Sequence, residues 1–438
     1  MISREKLSPP SPKDLSPVPK NSFLDQRMSR RGLIKGGAAV VAGGAIVESS
    51  APLIIPALEK MSVIGAIKEQ KADWKDANLP DDEFLAKYSD QLKLVTIGTT
   101  FSPERAARRY RSYTDEPRSV LKDLKFLVDD VGFKKIRVAY RWSSMVNHEG
   151  EFDPTYVVST LDYLMGSDAA LCINTGIKSA GWPEQFPPKF VLQEIGRPEN
   201  KTVIHDESEM ASAFKSFLPT FFGFLKERYR DKLNRIEMFQ IENEPFQQFG
   251  DYEWTMSYGY LRSLVGEVVK AFPDKRILFN SAGFNDLEMI KDLLVENLAT
   301  YGMRRFVVGT DFYPLHPDVK DYPVIGRPDP VVIADLLGRY DFGDLKEDAI
   351  RYGFDLESTE LQGEPWADRE MRPGNDVSVL KYNLIRHIKY FSIPGRQSVA
   401  RWWGGEYLAD QVLSGKATSE AKEQHNKEIY IIQRVNSM

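Results

Sequence analysis

Cysteine and histidine are scarce in this chain of 438 residues, which holds one cysteine and five histidines. The single thiol, Cys172, excludes an intramolecular disulfide and a thiolate metal cluster. The histidines are scattered, and none forms the His-Glu-x-x-His pair of a zinc hydrolase. No Gly-x-Gly-x-x-Gly follows the first predicted strand, which argues against a dinucleotide-binding fold. We therefore expect no metal site and no cofactor.

A strong excess of charge of one sign is also lacking. The formal net charge is −5, from 58 basic and 63 acidic residues, and this offers no basic surface for nucleic acid. Hydrophobic residues at 42% and charged residues at 28% are ordinary for a globular enzyme. The seven tryptophans and 19 tyrosines are more suggestive, because aromatic faces are surfaces on which ring substrates stack.

The first 57 residues have the composition of a leader. Residues 1–27 are rich in Pro, Ser and Lys and have too little apolar surface to fold. They are followed by the run Ser-Arg-Arg-Gly-Leu-Ile-Lys at 29–35 and then by a Gly/Ala-rich, weakly apolar run that is too short to span a bilayer. The paired arginines resemble the twin-arginine export signal. Residues 1–57 are thus predicted to be a disordered leader plus a twin-arginine signal peptide.

Export would make the twin-arginine machinery a partner and would bring the protein to the membrane only in transit, leaving it periplasmic or extracellular. The alternatives are an N-terminal membrane anchor or a basic stretch without an export role. The pattern leaves open whether the chain starts at Met1 or Met28, and whether cleavage follows the small residues at 49–51 or Ala57.

Short apolar runs alternate with longer amphipathic stretches from residue 91 to residue 438, as in parallel strands joined by crossover helices. The predicted strands are Lys93–Thr99, Lys135–Ala139, Ala170–Thr175, Ile236–Ile241, Arg276–Asn280, Phe306–Asp311, Phe354–Thr359 and Ser398–Trp403. Helical patterns between them include Val120–Asp130, Met210–Arg228, Met256–Ala271, Asp286–Ala299 and Val377–Tyr390. This count predicts an α/β fold, a (β/α)8 TIM barrel, as a single catalytic domain. The polar residues 58–90 are predicted to be a linker or lead-in segment.

The carboxyl ends of the strands in such a barrel open to one mouth, where active groups stand. The fourth predicted strand ends in Asn243-Glu244-Pro245, and the proline stops the strand because it donates no ladder hydrogen bond. The seventh strand ends in Thr359-Glu360. The other candidates are Arg137 on the second strand, Lys178 and Trp182 after the third, Tyr313 and His316 after the sixth, Trp366 after the seventh, and Trp402 and Trp403 on the eighth.

Two glutamates facing each other across a narrow barrel suit the hydrolysis of a glycosidic bond. One carboxylic acid protonates the leaving oxygen while the other supports the anomeric carbon, and at about 5 Å apart they work through a covalent intermediate. Burial and a nearby like charge would keep the acid protonated, whereas Arg137 and the Tyr313 hydroxyl would keep the nucleophile ionised. Asn243 is expected to bind the sugar 2-hydroxyl. Aromatic floors and walls for the sugar are expected from Trp402 or Trp403 and from Trp182 and Trp366.

Asn-Glu-Pro on the fourth strand, Thr-Glu on the seventh and Trp on the eighth resemble clan A of the glycoside hydrolases, which are retaining (β/α)8 enzymes. The runs Gln-Ile-Glu-Asn-Glu-Pro-Phe, Thr-Glu-Leu-Gln-Gly-Glu-Pro-Trp and Lys-x-x-x-Trp-Pro-Glu are similar to those of bacterial family 5, cellulase-like proteins. The resemblance spans about residues 92–407. It implies Glu244 as the acid/base, Glu360 as the nucleophile, Arg137 and Tyr313 as the groups that hold the nucleophile, and Asn243 as the 2-hydroxyl ligand.

The chain departs from this pattern at two places. Gly181 stands where a basic residue is expected before Trp-Pro-Glu, and no histidine directly precedes Tyr313. Glu364 is a rival to Glu360 as the nucleophile because it also precedes a proline. Glu242 is expected to face away from its neighbours and to pair with a cation.

The function these residues predict is an exported, metal-independent retaining β-glycosidase that acts on a polysaccharide or oligosaccharide by double displacement. Two alternatives are a non-catalytic carbohydrate-binding barrel and a Schiff-base, aldolase-type barrel that uses Lys178.

Overall fold

Eight parallel strands close into a barrel in the computed structural model, in the order β1-β10-β9-β8-β7-β5-β3-β2. The barrel strands are β1 (Val95–Phe101), β2 (Lys135–Ala139), β3 (Ala170–Thr175), β5 (Ile236–Ile241), β7 (Arg276–Ser281), β8 (Phe306–Phe312), β9 (Asp355–Gln362) and β10 (Ser398–Trp403). The short strands β4 (Val203–Ile204) and β6 (Thr255–Met256) pair separately. The structure describes residues 68–109, 117–181, 184–248, 250–281, 284–301, 305–312, 342–362, 377–415 and 417–438.

Helices surround the barrel and cover its outer face. They are α1 (residues 68–77), α2 (Asp81–Lys87), α3 (Ser89–Leu92), α4 (Pro103–Arg109), α5 (Pro117–Lys125), α6 (Thr155–Gly166), α7 (Lys189–Ile195), α8 (Glu209–Arg228), α9 (Tyr258–Ala271), α10 (Phe284–Tyr301), α11 (Phe342–Tyr352), α12 (Val377–Tyr390), α13 (Gly405–Leu413) and α14 (Ser419–Asn436). A π-helical turn (Phe126–Asp130) continues α5. In the part of the chain that the structure describes, no helix is both long and apolar enough to cross a membrane.

Strand β2 shows how alternation along a strand sorts side chains between the two faces of the barrel wall. Ile136 and Val138 belong to the main core, between the strands and the helices. Arg137 lies between them in sequence and faces the barrel interior, where it pairs with Glu360 of β9. Successive side chains of a strand point to opposite faces, so a basic residue in an apolar run reaches the interior without disturbing the helix-facing core.

The bottom of the barrel interior is packed rather than open. One interior cluster joins four neighbouring strands, through Cys172, Met238, Leu278 and Val307. Beside it, the Arg401 guanidinium donates to Glu357 at 2.8 Å, and both side chains are buried. An interior filled by layers of side chains leaves room for chemistry only at the carboxyl ends of the strands.

The predicted (β/α)8 barrel is confirmed. Strands β2, β3, β5 and β10 and helix α12 begin and end at the predicted residues. Strands β4 and β6 were not predicted, because two residues are too few to show a period. The export segment, residues 1–57, lies outside the described residues.

The lead-in segment is part of the fold from residue 68 onward. Asp73 of α1 accepts a hydrogen bond of 2.7 Å from the fully buried Arg386 of α12. Trp74 stacks on Tyr382 with ring centroids 4.3 Å apart. The folded domain therefore begins before residue 91, because aromatic and charged anchors on a polar helix fix it to the barrel.

Strand β9 carries a bulge beside the mouth. Thr310 of β8 pairs with Ser358, but the next residue, Asp311, pairs with Glu360, so that Thr359 is an extra residue on β9. The register shifts at the same place on the β10 side. A bulge breaks strict alternation, so Thr359 and Glu360 both face the barrel interior, where the Thr359 hydroxyl donates to Asp311 and Glu360 accepts from Arg137.

Candidate active site

The structure brings together five of the predicted site residues at the mouth of the barrel. Glu244, Asn243, Glu360, Arg137 and Trp403 are joined there by hydrogen bonds, an ion pair and ring contacts. All five are less than one-tenth exposed. Five further candidates, Trp182, Tyr313, His316, Glu364 and Trp366, lie outside the described residues, so their roles stay predictions.

The backbone after β5 takes an unusual path that delivers Glu244 to the mouth. Glu242 and Glu244 both have left-handed backbone angles, with φ of +57° and +44°. Such angles cost of order 1–3 kcal/mol for a residue with a side chain and persist where surrounding contacts hold them. Here the Glu244 amide donates to the Asn280 side chain at 3.0 Å, and the Lys178 amine donates to the Glu244 carbonyl at 2.9 Å.

The prediction that Glu242 pairs with a cation is wrong. Its carboxylate accepts hydrogen bonds from the Ile177 amide at 2.9 Å, the Lys178 amide at 2.7 Å and the Tyr260 hydroxyl at 2.8 Å. Burial raises the pKa of Glu242 to about 7, against the effect of these donors. Glu242 therefore joins the loop after β3 to the loop after β5, which fixes the frame around Glu244.

Asn280, at the end of β7, organises the polar groups of the mouth. Its carbonyl oxygen accepts from Gln240 at 2.7 Å as well as from the Glu244 amide. Its NH2 group donates to Asn243 at 3.1 Å and to Asp311 at 2.7 Å. The only signal for Asn280 in the sequence was its place at the end of a predicted strand, and that position does not reveal a hub of four contacts.

Glu244 lies where its carboxyl group keeps a proton. Burial is the main reason that its pKa is well above the ordinary value, followed by electrostatic interactions with Asp311, Glu184 and Glu360. The Glu244 and Asp311 carboxyl groups also share a hydrogen bond that raises the pKa of Glu244. Burial and neighbouring carboxyl groups both favour the protonated form, which is the form that acts as a general acid.

Glu360 lies in the opposite electrostatic environment. Its carboxylate accepts a hydrogen bond from the fully buried Arg137 guanidinium. Burial opposes the charge on Arg137, but the Glu360 and Asp311 carboxylates outweigh this and raise the pKa of Arg137. A permanent cation in direct contact favours the ionised carboxylate, which is the form that acts as a nucleophile.

Glu184 is a further carboxyl group at the mouth that the sequence did not predict as a site residue. It has a left-handed φ of +71° and accepts a hydrogen bond of 3.1 Å from the Asn243 side chain. Burial raises the pKa of Glu184 to about 8, although Lys178, whose amine lies 3.8 Å from the carboxylate, acts to lower it. The signal for this residue was its position in the Lys-x-x-x-Trp-Pro-Glu run.

Lys178 supports the backbone of the mouth. It is fully buried, and its amine donates at 2.9 Å to the carbonyl oxygens of both Glu244 and Gln247. An amine engaged in this way is not presented to a carbonyl substrate, so the geometry gives no support to the Schiff-base alternative. The same geometry does not support a direct contact between Lys178 and substrate.

The two neighbouring tryptophans of β10 face opposite sides of the barrel wall. Trp403 clusters with Ala139 and Ala180 at the mouth, and the guanidinium of Arg105 lies 4.7 Å from its ring centroid. Trp402 is 1% exposed and belongs to the main core. The expectation that Trp402 contacts sugar is therefore corrected, because strand alternation turns it away from the mouth.

The mouth as a whole can transfer a proton and stabilise a positive centre. Its carboxyl groups come from the loop after β3 (Glu184), the loop after β5 (Glu244), β8 (Asp311) and β9 (Glu360). Among the described residues, no group of three or more His, Cys, Asp or Glu side chains is arranged to hold a metal ion.

No family model matches the chain, and no curated protein matches it either. Among solved structures, similar folds include a GH5 family lichenase from Caldicellulosiruptor sp. F32, with 14% identity, a TM-score of 0.46, and coverage of 79% of this chain and 94% of that one. A GH5-4 endoglucanase from an uncultured bacterium has 13% identity, a TM-score of 0.45, and coverage of 79% and 95%. A glycoside hydrolase family 30 subfamily 8 xylanase from Clostridium acetobutylicum has 16% identity, a TM-score of 0.43, and coverage of 78% and 71%.

Proposed function

We propose that this protein is an exported retaining β-glycosidase that hydrolyses O-glycosidic bonds of a polysaccharide or oligosaccharide by double displacement. Glu244 is the acid/base and Glu360 is the nucleophile. The observation that carries the proposal is the contrast between these two buried glutamates at one barrel mouth: Glu244 shares a hydrogen bond with another carboxyl group, whereas Glu360 is paired with Arg137. Two carboxyl groups whose environments separate their protonation states have the division of labour of a glycosidase pair.

In the first step, the Glu360 carboxylate attacks the anomeric carbon while the glycosidic bond breaks and Glu244 gives its proton to the leaving oxygen. This produces a glycosyl ester on Glu360 and a free alcohol. In the second step, the Glu244 carboxylate takes a proton from water, the water oxygen attacks the anomeric carbon, and Glu360 is released as a carboxylate. Glu244 ends protonated, as it began.

Asn243 is held with its NH2 group toward Glu184 and Glu244. Its carbonyl oxygen accepts from both Gln240 and Asn280, each at 3.1 Å, which fixes the orientation of the amide. The NH2 group donates to Glu184 at 3.1 Å and lies 3.4 Å from Glu244. This places a fixed donor beside the acid, which supports the proposed contact with the sugar 2-hydroxyl.

The proposal is tested with Glu244→Ala and Glu360→Ala, after the wild-type enzyme has been screened on aryl β-glycosides. We expect both variants to lose hydrolysis of glycosides with poor leaving groups. A 2,4-dinitrophenyl leaving group needs no proton, so Glu244→Ala should still form the intermediate from it, and azide should restore turnover with a β-glycosyl azide as product. Glu360→Ala with azide should give the α-glycosyl azide.

The matched control is Glu237→Gln. Glu237 lies on β5, the strand that leads to Glu244, but it pairs with Lys135 and Arg276 instead of facing the mouth. It should retain activity. If Glu244→Ala or Glu360→Ala hydrolysed these glycosides at the wild-type rate, the assignment would be refuted.

Export by residues 1–57 is part of the proposal and is supported by the Ser-Arg-Arg-Gly-Leu-Ile-Lys run at 29–35. With Arg30→Lys and Arg31→Lys combined, we expect the protein to stay in the cytoplasm of the producing cell. Undiminished export of this double variant would contradict the twin-arginine route.

A further inference from the structure

Asp311 lies on β8, which is separated in the barrel from β5, the strand that leads to Glu244, by β7. Two hydrogen-bond donors fix its side chain. The Asn280 NH2 group donates to one carboxyl oxygen of Asp311 at 2.7 Å, and the Thr359 hydroxyl donates to the other oxygen. A carboxylate is the protonation state of Asp311 that accepts both bonds without conflict. The bulge of β9 is what turns Thr359 inward to make the second bond.

The proton between Asp311 and Glu244 belongs to Glu244. Because both Asp311 oxygens already accept, the hydrogen of the bond between the two carboxyl groups comes from Glu244. Burial raises the pKa of Asp311 above its ordinary value, but the bond with Glu244 acts to lower it, as do the bonds from Thr359 and Asn280. The same bond raises the pKa of Glu244, in agreement with this direction. Asn280 also accepts the Glu244 amide, so one side chain sets the distance between the two groups.

We propose that Asp311 is a positioning residue that keeps the proton on Glu244 before the first step and makes the Glu244 carboxylate a stronger base for water in the second. The inference rests on the proposed glycosidase function and extends it. When Glu244 has given its proton to the leaving oxygen, two carboxylates face each other. Their repulsion is relieved when Glu244 takes the proton of the attacking water, whose oxygen then displaces Glu360.

Other charged groups face this pair from several elements. Glu184 lies in the loop after β3 and Glu360 on β9, and both act electrostatically to raise the pKa of Glu244. Arg137 on β2 stabilises the negative charge of Asp311, and Lys178 stabilises that of Glu184. Asp311 differs from Glu184 and Glu360 in its direct hydrogen bond to Glu244, so its removal should affect Glu244 most specifically.

The test is Asp311→Asn, which keeps the size and shape of the side chain but removes the charge and offers Glu244 a donor. With a glycoside that has a poor leaving group, the alkaline limb of the kcat/KM profile should move to lower pH by about 1 unit, since Glu244 then loses its proton more easily. With the 2,4-dinitrophenyl β-glycoside of the same sugar, kcat/KM should be unchanged, because no acid is needed. For that substrate kcat and KM should fall together by several-fold, because the second step becomes slower. Azide should restore kcat, because azide attacks the intermediate without the help of a base.

A structural role alone would lower kcat/KM for both substrates and leave the alkaline limb in place. An unshifted limb in Asp311→Asn, with Glu244→Ala inactive and rescued by azide, would overturn this inference and leave the proposed function standing. Hydrolysis by Glu244→Ala at the wild-type rate would overturn both this inference and the proposed function. Asp311→Ser removes the same charge with a smaller side chain, and the same shift of the limb is expected there if Asp311→Asn does not fold.

Discussion

Arg137 shows at the scale of one residue how the barrel holds charge in its interior. The side chain is fully buried, contacts Glu360 directly, and interacts electrostatically with Asp311 as well. A buried ion pair adds little net stability by itself, but removal of one partner leaves the other charged and desolvated. Arg137 therefore controls both the stability of the mouth and the protonation of Glu360.

Replacement of Arg137 by methionine tests this control. We expect Arg137→Met to lower the free energy of unfolding by about 3–5 kcal/mol and to reduce kcat/KM by at least about 100-fold. Any remaining activity should have its acidic limb at higher pH, because Glu360 without its cation takes up a proton more readily. Denaturant unfolding and a pH–rate profile measure the two effects.

The control is Arg235→Met, which breaks an exposed pair with Asp168 at 3.1 Å and should cost no more than about 1 kcal/mol. An acidic limb in Arg137→Met at the wild-type pH would show that Arg137 does not set the protonation state of Glu360.

The bulge of β9 acts at the scale of an element. It places two consecutive side chains in the barrel interior, and β8 accommodates them because Gly309 has no side chain. A Cβ on Gly309 would lie 2.5 Å from the Thr359 methyl group, 2.8 Å from its hydroxyl and 3.1 Å from the Asn280 Cβ. Such distances are too short, so the glycine makes room for the bulge.

Gly309→Ala is accordingly expected to destabilise the protein by about 1–3 kcal/mol through overpacking. It should also reduce activity, since Thr359 has to move away from Asp311. Melting temperature and kcat/KM are the measurements.

The matched control for Gly309→Ala is Gly223→Ala in α8, where a Cβ would meet nothing within 4 Å. That change should stabilise the helix by up to about 1 kcal/mol. If the two alanine variants were equally stable, Gly309 would not be needed for the bulge.

Buried acids dominate the pH dependence expected of the whole molecule. Burial raises the pKa of Asp123 to about 7, with Asp410 and Glu406 adding to the effect, and the pKa values of Glu242 and Glu184 are raised to about 7 and about 8. Between pH 5 and pH 8 the folded state thus holds protons that the unfolded chain has released. His387, whose pKa burial lowers to about 3, has the opposite effect below pH 6.5, but it is one group against several carboxyl groups with raised pKa values.

Because the folded state binds more protons than the unfolded chain in this pH range, the protein is expected to be most stable on the acid side of neutrality. Because the raised carboxyl groups favour the fold while they are protonated, their contribution is lost as the pH rises through 7 and 8. The melting temperature should be higher by several degrees at pH 5 than at pH 8. Asp123→Asn should raise the melting temperature at pH 8 and change it little at pH 5. A protein more stable at pH 8 than at pH 5 would contradict the burial of these acids.

The sequence by itself determined the barrel, the limits of half its strands and the delivery of Glu244 and Glu360 to strand ends. Apolar runs and turn residues are local signals, and eight alternating units leave few ways to bury all the strands. The local pattern also predicts that Arg137 faces the barrel interior, because its apolar neighbours on the strand face the helices.

Only the tertiary structure decided which side chains meet. Alternation predicts that Trp402 and Trp403 face opposite ways but not which of them faces the mouth, and it predicts the wrong relation for Thr359 and Glu360, because a bulge depends on the space that the neighbouring strand leaves. Asp311 and Glu184 join the site through contacts between residues far apart in the chain, and the helices before residue 91 join the fold through buried pairs with α12. Such contacts depend on distances across the closed barrel, and no local run of residues encodes them.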